Sequence, residues 1–269
     1  MRKPVLQFSH ANGFPARCYG AMLAAFGDRY RVGAIEAIGT DPRYPVTEGW
    51  LHLVEQLEQA IERDWHGEPV YGLGHSLGGY ITFLAAVRRP ELFHAIVLLD
   101  APIVGPIKGR LLGATKRFGI VDRVTPAGAT RDRRSEWPSR EEAKAHFRTR
   151  RLFRHFTEEC LEDYVRHALV EAHGARCGGG GHLRLRIDPE NEYRIYRTIP
   201  HDMSRHLRRL QVPAAFVGGA DSDVVRRVGM SLMRGPRFLK RQVPGGHLFP
   251  FEHPPEAAAA ILELLQELQ

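Results

Sequence analysis

At 269 residues the chain can bury one full-sized core, and 43% of it is apolar. No apolar run approaches the roughly 18 residues of a membrane span, and MRKPVLQFSH has too short an apolar stretch for a secretory signal, so a cytoplasmic protein is expected. The formal charge of +7 is uneven: residues 101–211 hold 23 Lys and Arg against 14 Asp and Glu, a net +9, leaving −2 for the rest. That segment suits anionic substrates or a membrane surface, while the excess of Arg over Lys throughout also fits a plain compositional bias. Cys18, Cys160 and Cys177 share no metal-ligand spacing and read as unpaired thiols of a reducing compartment.

Short apolar runs alternate with amphipathic helical patterns, the pattern of a parallel sheet covered on both faces. Six runs read as strands, at 5–9, 31–37, 69–73, 95–99, 214–218 and 237–243. A helix is predicted over 48–65, with Leu51, Val54, Leu57 and Ile61 on one face. Residues 101–210 break the alternation, with helical patterns but no core strand, and read as an inserted, mainly helical cap on a core of 1–100 and 211–269. Within it, Ser139 and Glu142 stand at capping-box spacing, and Leu161, Tyr164, Val165, Ala168 and Leu169 share a helix face. CGGGGH at 177–182 reads as a loop, since no strand and helix flank it to make an anion nest. A last helix spans 255–268.

The stretch YGLGHSLGGY, Tyr71 to Tyr80, admits two chemistries. As Gly72-x-Gly74-x-x-x-Gly78 it resembles a dinucleotide loop, with Asp100 placed where a ribose-binding carboxylate would stand. Against that, it follows the third strand rather than the first, and His75 and Ser76 are bulky for a phosphate cradle. It also leaves SHANGFP, after the first strand, and PGGHLFPFEHP, after the last, without a role. As Gly74-x-Ser76-x-Gly78 it is a sharp strand-to-helix turn exposing a serine nucleophile. A serine needs a histidine base, a carboxylate to orient that base, and donors for the oxyanion, and the two remaining stretches can supply them.

With GHSLGG, SHANGFP and PGGHLFP in the chain order Ser, Asp, His, the sequence resembles the α/β-hydrolase superfamily. HANGFPA, DPRYPVTEGW and DPENEYRIYRT are similar to a bacterial subgroup of capped hydrolases. The resemblance implies a cofactor-independent serine hydrolase cleaving an ester, thioester or related acyl bond. A ligand-binding protein on the same scaffold, a perhydrolase and a lyase are the alternatives. Ser76 would be the nucleophile, His247 the base and Asp223 the acid, with Asp221 and then Asp100 as alternative acids. Leu77 and Phe14 would supply the oxyanion N–H groups, with the Asn12 side chain as an alternative to Phe14. His253, before two prolines at a helix start, is expected at the surface, and His10 and His75 are expected to shape the site. No metal or cofactor is expected, nor nucleic acid; a small acyl substrate, apolar or anionic, is.

The family usually places two strands ahead of the one that opens this sheet. The expected fold is therefore a doubly wound, mainly parallel α/β sheet of about six strands in the order 2-1-3-4-5-6. Its winding reverses between the first and third strands, where ligands sit in open α/β sheets. The aromatics Trp137, Phe147, Phe153 and Phe156 either line an acyl pocket or pack the cap, and the Arg cluster of RTRRLFRH reads as a solvated face.

Overall fold

The computed structural model of the protein describes residues 2–172, 182–233 and 237–269. Strands β1 (Val5–Ser9), β2 (Arg31–Ala34), β3 (Val70–His75) and β4 (Phe93–Leu99) come from the first part of the chain. With β8 (Ala214–Gly219) and β9 (Phe238–Val243) they form one sheet of order β2-β1-β3-β4-β8-β9, parallel at every pairing. This is the expected order. The predicted second strand stops at Ala34 rather than 37, since it is an edge strand whose last residue is exposed.

The central strands are apolar on both faces because both faces are covered. Along β4, Ala95, Val97 and Leu99 join one apolar cluster while Ile96 and Leu98 join the other, as the two-residue period of a strand requires. One face carries the helices Leu51–Trp65 and Leu77–Arg88; the other carries Pro254–Glu267 and the segment around Tyr19 and Met22. In the first of these helices Val54, Leu57 and Ile61 are buried as expected, but Leu51 is exposed and Leu53 takes its place. A kink at Gly49 and Trp50, both at positive φ, turns the start of that helix.

Residues 101–210 contribute the helices Pro106–Arg117, Arg140–Arg148, Glu158–His167 and Pro189–Arg197. Ser139 caps the second through the Glu142 N–H, as its spacing predicts, and Thr157 caps the third. Among its described residues the segment also holds three very short strands, β5 (Glu136–Trp137), β6 (Leu169–Glu171) and β7 (Leu183–Leu185), in an antiparallel sheet of order β5-β7-β6. Two or three residues are too few for an alternating pattern to register in sequence. Trp137, Phe147, Tyr164 and Leu183 of this segment are continuous with the apolar cluster on one sheet face. Residues 177–181, including Cys177, lie outside the described residues; Cys18 and Cys160 are buried free thiols.

Candidate active site

Loops that follow β3, β4 and β9 at the carboxyl end of the sheet converge on Ser76. β3 passes into the helix Leu77–Arg88 through Ser76, whose backbone adopts φ 52° and ψ −114°, a region L residues rarely occupy. The turn can be that tight because Gly74 and Gly78 lack side chains. A Cβ on Gly74 would lie 2.3 Å from the Gly78 carbonyl oxygen, and one on Gly78 would lie 2.0 Å from the carbonyl oxygen of Ser9. Backbone bonds fasten the elbow: Ser76 N–H donates to Leu99 O at 2.9 Å and Gly78 N–H to His10 O at 3.1 Å.

His247, just beyond β9, reaches this serine. Its Nε2 lies 3.0 Å from Ser76 Oγ, and its Nδ1 lies 2.6 Å from Asp100 Oδ2. A carboxylate oxygen can only accept, so Nδ1 carries the proton and Nε2 turns a lone pair to the serine hydroxyl. His253 is part-buried beside Gly245, and among the described residues the histidine hydrogen-bonded to Ser76 Oγ is His247.

The carboxylate against His247 is Asp100, which corrects the expectation of Asp223 and of Asp221. Asp223 is exposed and pairs with Arg227 at 3.2 Å; Asp221 is exposed, its N–H bonded to Gly245 O. The reason is local. Ser222, not an aspartate, turns inward, its hydroxyl donating to Asp100 Oδ2 while accepting from the Val225 N–H as the cap of the helix Asp223–Val228. Asp223 then occupies the first helical position, where an acid complements the positive helix end. Asp100 is fully buried, directly follows β4, the strand beside the elbow strand, at φ 47°, and takes a further bond from Gly219 N–H at 3.0 Å.

Two buried histidines brace the loops. His10 Nδ1 donates to Ala11 O at 2.8 Å while Nε2 accepts from Ile38 N–H at 2.7 Å, so both ring nitrogens are used. Burial lowers its pKa to about 4, against the opposing bond to Ala11 O, which keeps it neutral. His75 Nε2 donates to the backbone carbonyl of His247 at 2.9 Å, and its Nδ1 accepts from Tyr19 O–H at 2.8 Å. The Tyr19 oxygen accepts in turn from Ala11 N–H at 3.1 Å. One chain of bonds thereby ties together the loop after β1, the elbow and the loop of His247. Desolvation holds the pKa of His75 well below the usual histidine range.

The loop after β1 turns at Gly13, φ 82°. Leu77 opens its helix, leaving its N–H without an intrahelical acceptor. The Phe14 N–H, expected as the second donor, is bonded to Ala11 O at 3.1 Å in this turn; among the described residues no acceptor stands against the Asn12 N–H. The Asn12 side chain instead donates to Glu192 O at 3.0 Å. Phe14 packs among Phe153, Phe156, Tyr164 and Phe251, with ring centroids 5.1–6.3 Å away. Trp137, Phe147 and Phe153 are buried packing residues, and only Phe156 is part-exposed. Arg148, Arg150, Arg151 and Arg154 are exposed.

Glu192 is a feature the sequence did not disclose. Its buried carboxyl lies 2.9 Å from where a Cβ on Gly13 would stand and pairs with Arg133. Desolvation outweighs the attraction of that guanidinium and raises its pKa to about 7. Its position against Gly13 depends on long-range packing of residues 101–210, for which no local spacing is a signal.

Residues 8–261 match the model of the alpha/beta hydrolase family. The chain belongs to that family. Among relatives of this alpha/beta hydrolase, the "Abhydrolase domain-containing protein AFT2-1" of Alternaria alternata is 26% identical over 233 residues, covering 74% of this chain and 84% of that protein. The type I acyl-CoA thioesterase mpaH of Penicillium brevicompactum is 33% identical over 121 residues, 44% of this chain and 26% of that one. The crystal structure of E-2-(acetamidomethylene)succinate hydrolase superposes with a TM-score of 0.76 over 98% of this chain and 92% of that one. At 18% identity that likeness is one of fold.

Proposed function

We propose that this alpha/beta hydrolase is a cofactor-independent serine hydrolase that cleaves an acyl bond, an ester or thioester, through an acyl-enzyme. The observation that carries the reading is the relay Ser76 Oγ, His247 and Asp100, at 3.0 and 2.6 Å. Ser76 Oγ attacks the acyl carbonyl as His247 Nε2 takes its proton, and the Asp100 carboxylate stabilises the imidazolium that forms. The oxyanion takes hydrogen bonds from Leu77 N–H and from the first loop, where Phe14 N–H is spent on Ala11 O and Asn12 N–H and Gly13 N–H are the donors without an acceptor among the described residues. The imidazolium then protonates the leaving group, and water activated by the same base releases the acid. Residues 101–210 act as the cap that shields this chemistry, since their aromatic side chains pack onto Phe14 of the oxyanion loop.

A thioester or ester is the substrate class because the machinery is that of acyl transfer and a thioesterase is among the relatives. A panel of esters and thioesters of graded chain length, run on the wild type and on Ser76→Ala, tests it. Turnover by the wild type and a fall of about 10³-fold or more in the variant is the expected result. A variant as active as the wild type would place the chemistry elsewhere. A ligand held tightly by both forms with no turnover by either would favour the binding-protein reading.

A further inference from the structure

The helix Pro106–Arg117 follows closely on Asp100 and carries on its outer side Ile107, Leu111 and, at its C-cap, Phe118. They are 72%, 63% and 74% exposed, large values for side chains of this size. At 3.6 residues per turn they form, with exposed Ala114, a single stripe roughly 60° wide. Ile120 and Val124, which follow it in the chain, are exposed as well. The opposite side is already used: Gly109 abuts the backbone of His201 and Gly113 its ring.

Charge borders the stripe. Arg110 and Arg117 lie along one edge, Arg123 follows, and none of the three has an acidic partner among the described residues. Beside the helix a groove of about 690 Å³ is lined by Arg110, His201, Arg205 and Arg208, against the single acid Asp202. An apolar stripe edged by unpaired arginines is the composition of a helix lying in the plane of a membrane interface. A second copy packed antiparallel on this stripe fits poorly, because that two-fold contact would set the arginine edge against itself.

We propose that this helix docks the protein on an anionic phospholipid surface, the apolar stripe entering the acyl boundary and Arg110, Arg117 and the groove arginines meeting headgroup phosphates. No described helix is long and apolar enough to cross a membrane; the contact is peripheral.

Flotation of the full chain with vesicles of phosphatidylcholine alone, and of phosphatidylcholine mixed with phosphatidylglycerol, tests this. The wild type should float with the mixed vesicles and bind neutral ones at least about tenfold more weakly. Leu111→Ser with Phe118→Ser should weaken binding about tenfold or more, and Arg110→Gln with Arg117→Gln about fivefold per charge. Circular dichroism checks that each variant is folded, and hydrolysis of a water-soluble ester, measured in parallel, tests the catalytic reading separately and should not change. A wild type that stays in solution, or variants that float as it does, would overturn the proposal. So would a dimer that the serine variant dissociates, which would make the occupant a second copy.

Discussion

Replacing Asp100 by Asn separates the proposed acid from its neighbours in the chain. The carboxylate accepts from three donors, Gly219 N–H, Ser222 O–H and His247 Nδ1–H. An amide offers one oxygen. If that oxygen keeps the Gly219 N–H, the NH₂ group faces His247, whose Nδ1 must then accept; the ring proton moves to Nε2, and Nε2 loses the lone pair that takes the proton of Ser76. A wrong-tautomer base of this kind costs about 10⁴ in turnover, or about 5.4 kcal/mol of transition-state stabilisation. Asp223→Asn removes an exposed helix pair with Arg227 and an acid from a helix start, and should leave turnover within about twofold. The assay is kcat on a soluble ester, with thermal melting to confirm that both variants fold. An Asp100→Asn enzyme near wild-type rate, or an Asp223→Asn enzyme as impaired, would refute this assignment.

Gly78→Ala should destabilise the fold by at least about 3 kcal/mol, since the new Cβ meets backbone oxygen at 2.0 Å; a urea midpoint close to wild type would contradict it. Tyr19→Phe strands Ala11 N–H and His75 Nδ1 without a partner and should cost about 2–4 kcal/mol in the same assay. Glu192 has a raised pKa, so its protonated form favours folding. Stability is full below about 4.5 and is lost as pH rises through about 7. The wild type should therefore lose about 3 kcal/mol relative to Glu192→Gln across that window, and parallel stability curves of the two proteins would refute the shift.

The core strands and the serine turn were legible because they rest on local rules. Buried parallel strands are apolar runs, and a turn as tight as that of Ser76 demands glycine at Gly74 and Gly78. His247 was legible for the same reason, following two glycines after the last strand. Asp100 was harder to choose. The sequence carries three acids at strand ends, and Ser222-Asp223 is at once a triad-like pattern and an ordinary helix start; only the inward turn of Ser222 separates the two. A sharper clue was the position of Asp100 directly after the strand that pairs with the elbow strand. The bond that engages the Phe14 N–H belongs to a backbone turn, which no side-chain pattern records. Residues 101–210 were legible as helices, but the placement of Glu192 against Gly13, and of Tyr19 against His75, arises from contacts between segments far apart in the chain.

The most direct measurement is to treat active protein with a fluorophosphonate and locate the adduct by peptide mass spectrometry. One phosphonyl group on Ser76 is predicted, formed at a rate that falls sharply in Asp100→Asn and in His247→Ala. An active preparation left unmodified, or carrying its adduct on another residue, would contradict the proposed relay.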